Sequence, residues 1–184
     1  MKTVLFINGC VREGHSRSLQ LAKAYLETLE GEFHLVERNL MASNLGYLTN
    51  TSFDSATGAP LPMDATLAEE FAQADEIVMA TPFWEFLFPA LVACYFEAVS
   101  IAGVTFQYTD HGSEGLCKAK AFTYLYTAGD FIPKEDAICE RYLRQLTKLY
   151  GIEYFTAISA QGLDIDTNNP QQIVEKVCQE IRNR

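Results

Sequence analysis

A chain of 184 residues has ordinary domain length and can bury about 70% of its unfolded surface without disulfide or metal staples, so one domain over 1–184 is expected. A hydrophobic fraction of 48%, with 12 Phe and 9 Tyr, excludes a disordered composition. Asp and Glu total 24 against 14 Lys and Arg, a net charge of −10, which sets the surface against phosphate backbones and anionic lipid and excludes a nucleic-acid partner.

The first predicted strand, Lys2 to Ile7, breaks into Asn8-Gly9-Cys10-Val11-Arg12-Glu13-Gly14-His15-Ser16-Arg17-Ser18 before a helix with a stripe at Leu19, Ala22, Leu26 and Leu29. A strand that opens through a Gly- and Ser-rich turn into a helix presents free amides, a positive dipole end and here the side chains of Ser16, Arg17 and Ser18, a ready anion site. The bland alternative is a turn in which Ser16 serves as an ordinary N-cap. The nucleoside-triphosphate P-loop is excluded, because His15 stands where its Lys is required, and the dinucleotide Gly pattern is absent.

A second strand, Phe33 to Glu37, leads into a small, polar, Gly-rich stretch from Leu40 to Pro62 that reads as a cover or lid. A helix from Asp64 to Ala74 precedes a strand from Glu76 to Thr81. The loop after it, Thr81-Pro82-Phe83-Trp84-Glu85-Phe86-Leu87-Phe88-Pro89, holds four aromatics and two further prolines and suggests a flat apolar ligand surface. The next helix, Pro89 to Ile101, is apolar on almost every side, with Glu97 and Ser100 as exceptions. Such a helix must be covered on both faces, which predicts a homodimer; it is too short and too interrupted for a membrane span. Gly103 to Gly112 alternates like a small hairpin beside the crevice, and His111 reads as solvated; Phe106, Tyr108 and Trp84 are candidates for the substrate face, each from either subunit. A strand at Ala121 to Thr127, a helix at Lys134 to Tyr150, a strand at Tyr154 to Ser159 and a helix at Pro170 to Arg182 complete the pattern. Five strands alternating with five helices predict an α/β fold, a flavodoxin-like doubly wound five-stranded parallel sheet in a three-layer sandwich, with ligands beyond the carboxyl ends of the strands.

The five cysteines are scattered and lack a Cys-x-x-Cys pair, which points to a reducing compartment and to no metal site. Cys94 and Cys178 read as buried hydrophobes, while Cys10 lies in an electropositive loop that could carry a redox thiol. The first apolar run stops short of a signal-peptide core, which predicts the cytoplasm.

These residues resemble the flavodoxin-like NAD(P)H:quinone oxidoreductases, and among them the FMN-dependent NADH-azoreductases. The likeness spans most of the chain. It is carried by Pro82-Phe83-x-x-Phe86-x-x-Pro89-Ala90, by Gly103-Val104-Thr105-Phe106-x-Tyr108-Thr109 with Gly115-Leu116, and by Ser16-x-Ser18. The resemblance implies FMN with its phosphate on Ser16, Arg17 and Ser18 near Cys10, its ring against Pro82, Phe83, Trp84, Glu85 and Phe86, and its pyrimidine edge on Thr127, Ala128, Gly129 and Asp130. Electrons from NADH or NADPH would pass through the flavin to a quinone or azo acceptor, with no catalytic side chain of the protein's own. The acidity of the chain disfavours the extra phosphate of NADPH. A flavodoxin-type electron carrier or a non-catalytic paralogue is the alternative. Glu85 replaces a usual Asn and Asp130 a usual Gly, so two carboxylates are expected near the ring, where they would lower its potential. Ala93 and Ala98 stand where the family has Lys and Arg, making the helix face more apolar.

Overall fold

The computed structural model describes residues 1–12, 14–43, 45–46, 48–49, 52, 54–57 and 64–184. Of the proposed lid from Leu40 to Pro62, residues 44, 47, 50–51, 53 and 58–62 lie outside them.

Five parallel strands, β1 (Lys2–Asn8), β2 (Phe33–Asn39), β3 (Glu76–Phe83), β6 (Ala121–Ala128) and β7 (Tyr154–Ala160), form one sheet in the order β2-β1-β3-β6-β7. Between β3 and β6 the antiparallel pair β4 (Phe106–Thr109) and β5 (Gly112–Gly115) makes the expected hairpin. The central strands β1, β3 and β6 are buried along most of their length because both faces are covered, whereas the edge strands β2 and β7 are only partly buried. On one face α1 (Arg17–Leu26) and α5 (Pro170–Arg182) bury Leu21, Ala22, Val174 and Ile181 against Val4, Phe6, Val78 and Leu125. On the other, α2 (Thr66–Gln73), α3 (Ala90–Val99) and α4 (Ile138–Tyr150) bury Phe71, Val92, Tyr95, Phe96 and Leu143 against Leu5, Ile7, Ile77, Met79 and Tyr124. The strand order reverses at β1, where β2 and β3 lie on opposite sides of it, so the crevice falls at the carboxyl ends of β1 and β3.

Three expectations change in detail. The helix expected from Lys134 splits into a 3-10 turn, Lys134–Asp136, and α4, because Ala137 at ψ 64° breaks the helical path. Strand β3 runs on to Phe83, pairing Pro82 with Thr127 and Phe83 with Ala128, so the aromatic corner begins in the sheet. The hairpin does not lie beside this chain's crevice. Its base sits where α4 ends, with the Cys117 amide donating to the Tyr150 carbonyl at 3.2 Å, and the chain then enters β6 at the amino end of the sheet. Gly115 abuts Tyr150 and Gly151 so closely that a Cβ on it would fall 2.0 Å from the Gly151 nitrogen.

Candidate cofactor site

The turn after β1 is set by its backbone. Gly9 donates to the Ala80 carbonyl at 2.9 Å, and the Asn8 side chain accepts from the Cys10 amide at 3.1 Å while donating to Glu37 Oε1 at 2.8 Å. Ser16 is the N-cap of α1, with extended backbone and Oγ accepting from the Leu19 amide at 3.2 Å. The bland reading of Ser16 is therefore right as far as it goes. Capping consumes one amide, and the amides of Arg17 and Ser18 start the helix without intrahelical acceptors, so the anion reading stands beside it. Ser18 is buried, its Oγ 2.7 Å from Thr127 Oγ1, which ties the start of α1 to the end of β6. One hydroxyl of that pair donates to the other, and one hydrogen is left for a ligand.

The aromatic corner is a tight turn. Trp84 and Leu87 exchange two backbone hydrogen bonds of 2.7 Å, and the residues between them, Glu85 and Phe86, have φ of 51° and 62°. Two successive positive φ angles make this the mirror-image turn that Asn-Gly normally fills. With Glu and Phe it costs about 1–2 kcal/mol per residue. The turn throws Phe86 outward, 77% exposed, and leaves Trp84 at the rim beneath the Arg12 guanidinium, 5.9 Å from its ring centroid.

A third segment closes the crevice. The amides of Leu163 and Asp164 donate to the carbonyls of Ala128 and Gly129 at 3.1 and 2.9 Å. Asp164 lies against Gly129 so tightly that a Cβ there would come within 2.6 Å of its Oδ2, and it pairs with Arg17 at 3.2 Å.

Together these segments enclose about 480 Å³, a volume typical of cofactor clefts. Of the sequence-predicted residues, Ser16, Arg17, Ser18, Pro82, Phe83, Trp84, Glu85, Thr127, Ala128 and Gly129 line it. Cys10, Phe86 and Asp130 do not. Cys10 is buried with its sulfur toward the Ala80 carbonyl, and burial pushes its thiol up to about 11, the opposite of a reactive thiolate. Asp130 turns back to accept from the Phe131 amide at 2.7 Å, so the second carboxylate of the crevice is Asp164. Phe106 is buried and Tyr108 is 76% exposed, their rings 5.4 Å apart on the distant hairpin. Cys178 is buried as expected, whereas Cys94 is only half-buried. Sequence reasoning missed Val11, Arg12, His15, Leu163 and Asp164. Arg12 and His15 were visible as donors in the same loop, but no local pattern marks Asp164. Among the described residues no group of His, Cys, Asp and Glu is placed to hold a metal, and no helix is long and apolar enough to cross a membrane.

The residues fit FMN. A capped helix start with two open amides, a guanidinium and two hydroxyls suits a phosphate. A strand-end wall of Pro82, Phe83 and Trp84 suits a flat ring.

A family model described as a flavodoxin-like fold matches residues 2–184. An FMN-dependent NADH:quinone oxidoreductase 1 of Bacillus subtilis is 31% identical over 206 aligned positions, covering 100% of this chain and 98% of the relative. An FMN-dependent NADH:quinone oxidoreductase 2 of Clostridium acetobutylicum is 27% identical, covering 100% and 98%. Among solved structures, an azoreductase of Bacillus anthracis superposes with a TM-score of 0.81 at 22% identity, covering 100% and 98%. An FMN-dependent NADH-azoreductase from the same species, in complex with FMN, gives 0.79 at 20% identity, covering 100% and 97%.

Proposed function

The chain belongs to the flavodoxin-like fold family, and from that premise we propose that it is an FMN-dependent NADH:quinone oxidoreductase of the azoreductase type, reducing quinone or azo acceptors. The observation that carries this reading is the convergence of the α1 start, the Pro82–Glu85 wall and the Thr127–Gly129 backbone on one cavity. Ser16, Arg17 and Ser18 hold the phosphate. Pro82, Phe83 and Trp84 back the ring, and the carbonyls and amides near Gly129 meet its pyrimidine edge. FMN, when bound, supplies the transfer of two electrons from NADH to the acceptor. The protein binds the flavin, orients it and excludes water from its buried side, and needs no acid–base side chain of its own. The curated relatives named above carry NADH in their names, and the acidity of this chain agrees with NADH over NADPH.

The working unit is a homodimer. On α3 Leu91, Ala93, Cys94 and Ala98 are apolar and only half-covered, with Glu97 exposed among them. That surface continues to the exposed Phe86 and Leu87, an apolar patch of the kind a second copy covers. In the dimer, the exposed Tyr108 serves the partner's cavity rather than its own, while Phe106, buried in its own chain, backs the Tyr108 ring. A chain with five free cysteines functions in a reducing compartment, the cytoplasm.

The test is direct. Protein incubated with FMN and desalted retains yellow absorbance, and anaerobic NADH bleaches it without a protein partner. Flavin lost on desalting, or colour unchanged by NADH, overturns the reading.

A further inference from the structure

A second cavity, of about 600 Å³, opens on the other face of the sheet between α4, the segment from Ile132 to Ala137 and the edge strand β7. Tyr126 and Thr127 are consecutive on β6 and point to opposite faces, Thr127 into the first cavity and Tyr126 into the second. By register Phe83 on β3 and Tyr126 on β6 share one face of the sheet, and their rings, 6.2 Å apart, border both cavities.

A helix over a strand normally closes the gap with large apolar side chains. Here β7 offers Ala157 and Ser159, while α4 and the turn before it offer Glu140, Arg141, Arg144 and Lys134. Packing alone does not account for such a lining. Its polar floor is fixed in place: Gln161 Oε1 accepts from the Ile132 amide at 2.8 Å, and its Nε2 donates to Tyr126 Oη at 3.1 Å and Ser159 Oγ at 3.0 Å. The Tyr126 hydroxyl donates to Glu140 Oε1 at 2.8 Å, so the one carboxylate of the lining is engaged internally. Arg144 lies over the Phe155 ring, 4.7 Å away, and Arg141 donates to the Glu135 carbonyl. None of Lys134, Arg141 and Arg144 has an ion-pair partner among the described residues. Glu135 and Asp136 are outside the lining. In an acidic chain, this opening carries three cations against one carboxylate.

Resting on the FMN reading of the first cavity, we propose that the second cavity holds the diphosphate of the dinucleotide donor. A dianion matches the surplus of charge, and two guanidinium forks three residues apart on one helix suit its oxygens. One ribose separates the diphosphate from the nicotinamide, which enters the first cavity past the Phe83–Tyr126 wall.

Isothermal titration of inorganic pyrophosphate into FMN-saturated protein, whose phosphate cradle is filled, shows saturable binding, and NAD+ competes with it. Arg141→Gln and Lys134→Gln each weaken pyrophosphate by about tenfold, the equivalent of one charge-assisted hydrogen bond, with FMN retention unchanged. Absent pyrophosphate binding, equal binding to both variants, or no competition by NAD+ overturns the proposal. If the protein does not retain FMN, the first reading fails separately, and the same titration of flavin-free protein still decides whether the Arg141 and Lys134 cavity takes the anion.

Discussion

Arg17 Nη1 lies 3.2 Å from Asp164 Oδ1, so the guanidinium assigned to the cofactor phosphate is already in contact with a carboxylate. Both groups are well exposed, and such pairs contribute about 0–1 kcal/mol. A charge-assisted bond to phosphate contributes about 1.5–3 kcal/mol. The phosphate therefore wins the guanidinium, and Asp164 weakens the net gain. Asp164→Asn is expected to tighten FMN a few-fold with little change in melting temperature, and Arg17→Ala to loosen it about tenfold or more. Quenching of FMN fluorescence on titration measures both.

The turn at Glu85 and Phe86 stores strain because neither side chain suits a positive φ. Asn tolerates that region better, so Glu85→Asn is expected to stabilise the protein by about 0.5–1 kcal/mol, a rise of roughly 1–4 °C for a chain of this size. It also removes a negative charge from the cavity, which raises the reduction potential of bound FMN. Calorimetry and a dye-equilibration titration check the two effects independently.

The sheet order and the anion turn were legible because strand runs, helical stripes and a Gly- and Ser-rich break are local signals. The Thr127–Gly129 edge was legible only through family resemblance, and Asp164 not at all, since its place beside Gly129 is set by two backbone hydrogen bonds between distant loops. Cys10 misled for the same reason. Its neighbours in sequence are electropositive, but Asn8 and Ala80 turn its sulfur into the core.

Burial raises the thiols of Cys10 and Cys139 to about 11 and of Cys117 to about 12, from an ordinary 9.0. The folded chain keeps these protons at a pH where the unfolded chain has released them, so their contribution is complete below about pH 9 and disappears as pH climbs through about 11–12. Urea midpoints are expected to fall steadily over that window. At pH 8 a thiol alkylating agent should leave Cys10, Cys117, Cys139 and Cys178 of the folded protein unmodified, as read by peptide mass spectrometry.

A Glu at Cys94, on the half-covered face of α3, would bring like charges together at a two-fold contact and bury them without partners. Cys94→Glu is expected to convert the dimer to monomer in sedimentation velocity while the far-ultraviolet dichroism stays unchanged. A monomeric wild type would remove the assignment of Tyr108 to a partner's cavity.

The seat of Gly115 against the Tyr150–Gly151 backbone fastens the hairpin at one end only, while Gln107, Tyr108, Thr109 and the opposing Gly112, Ser113 and Glu114 stand in solvent. Changes at that tip leave the sheet beneath undisturbed. It is an arm that descendants of this scaffold can refashion at little risk, and a natural place for breadth of acceptor to be gained or narrowed over generations.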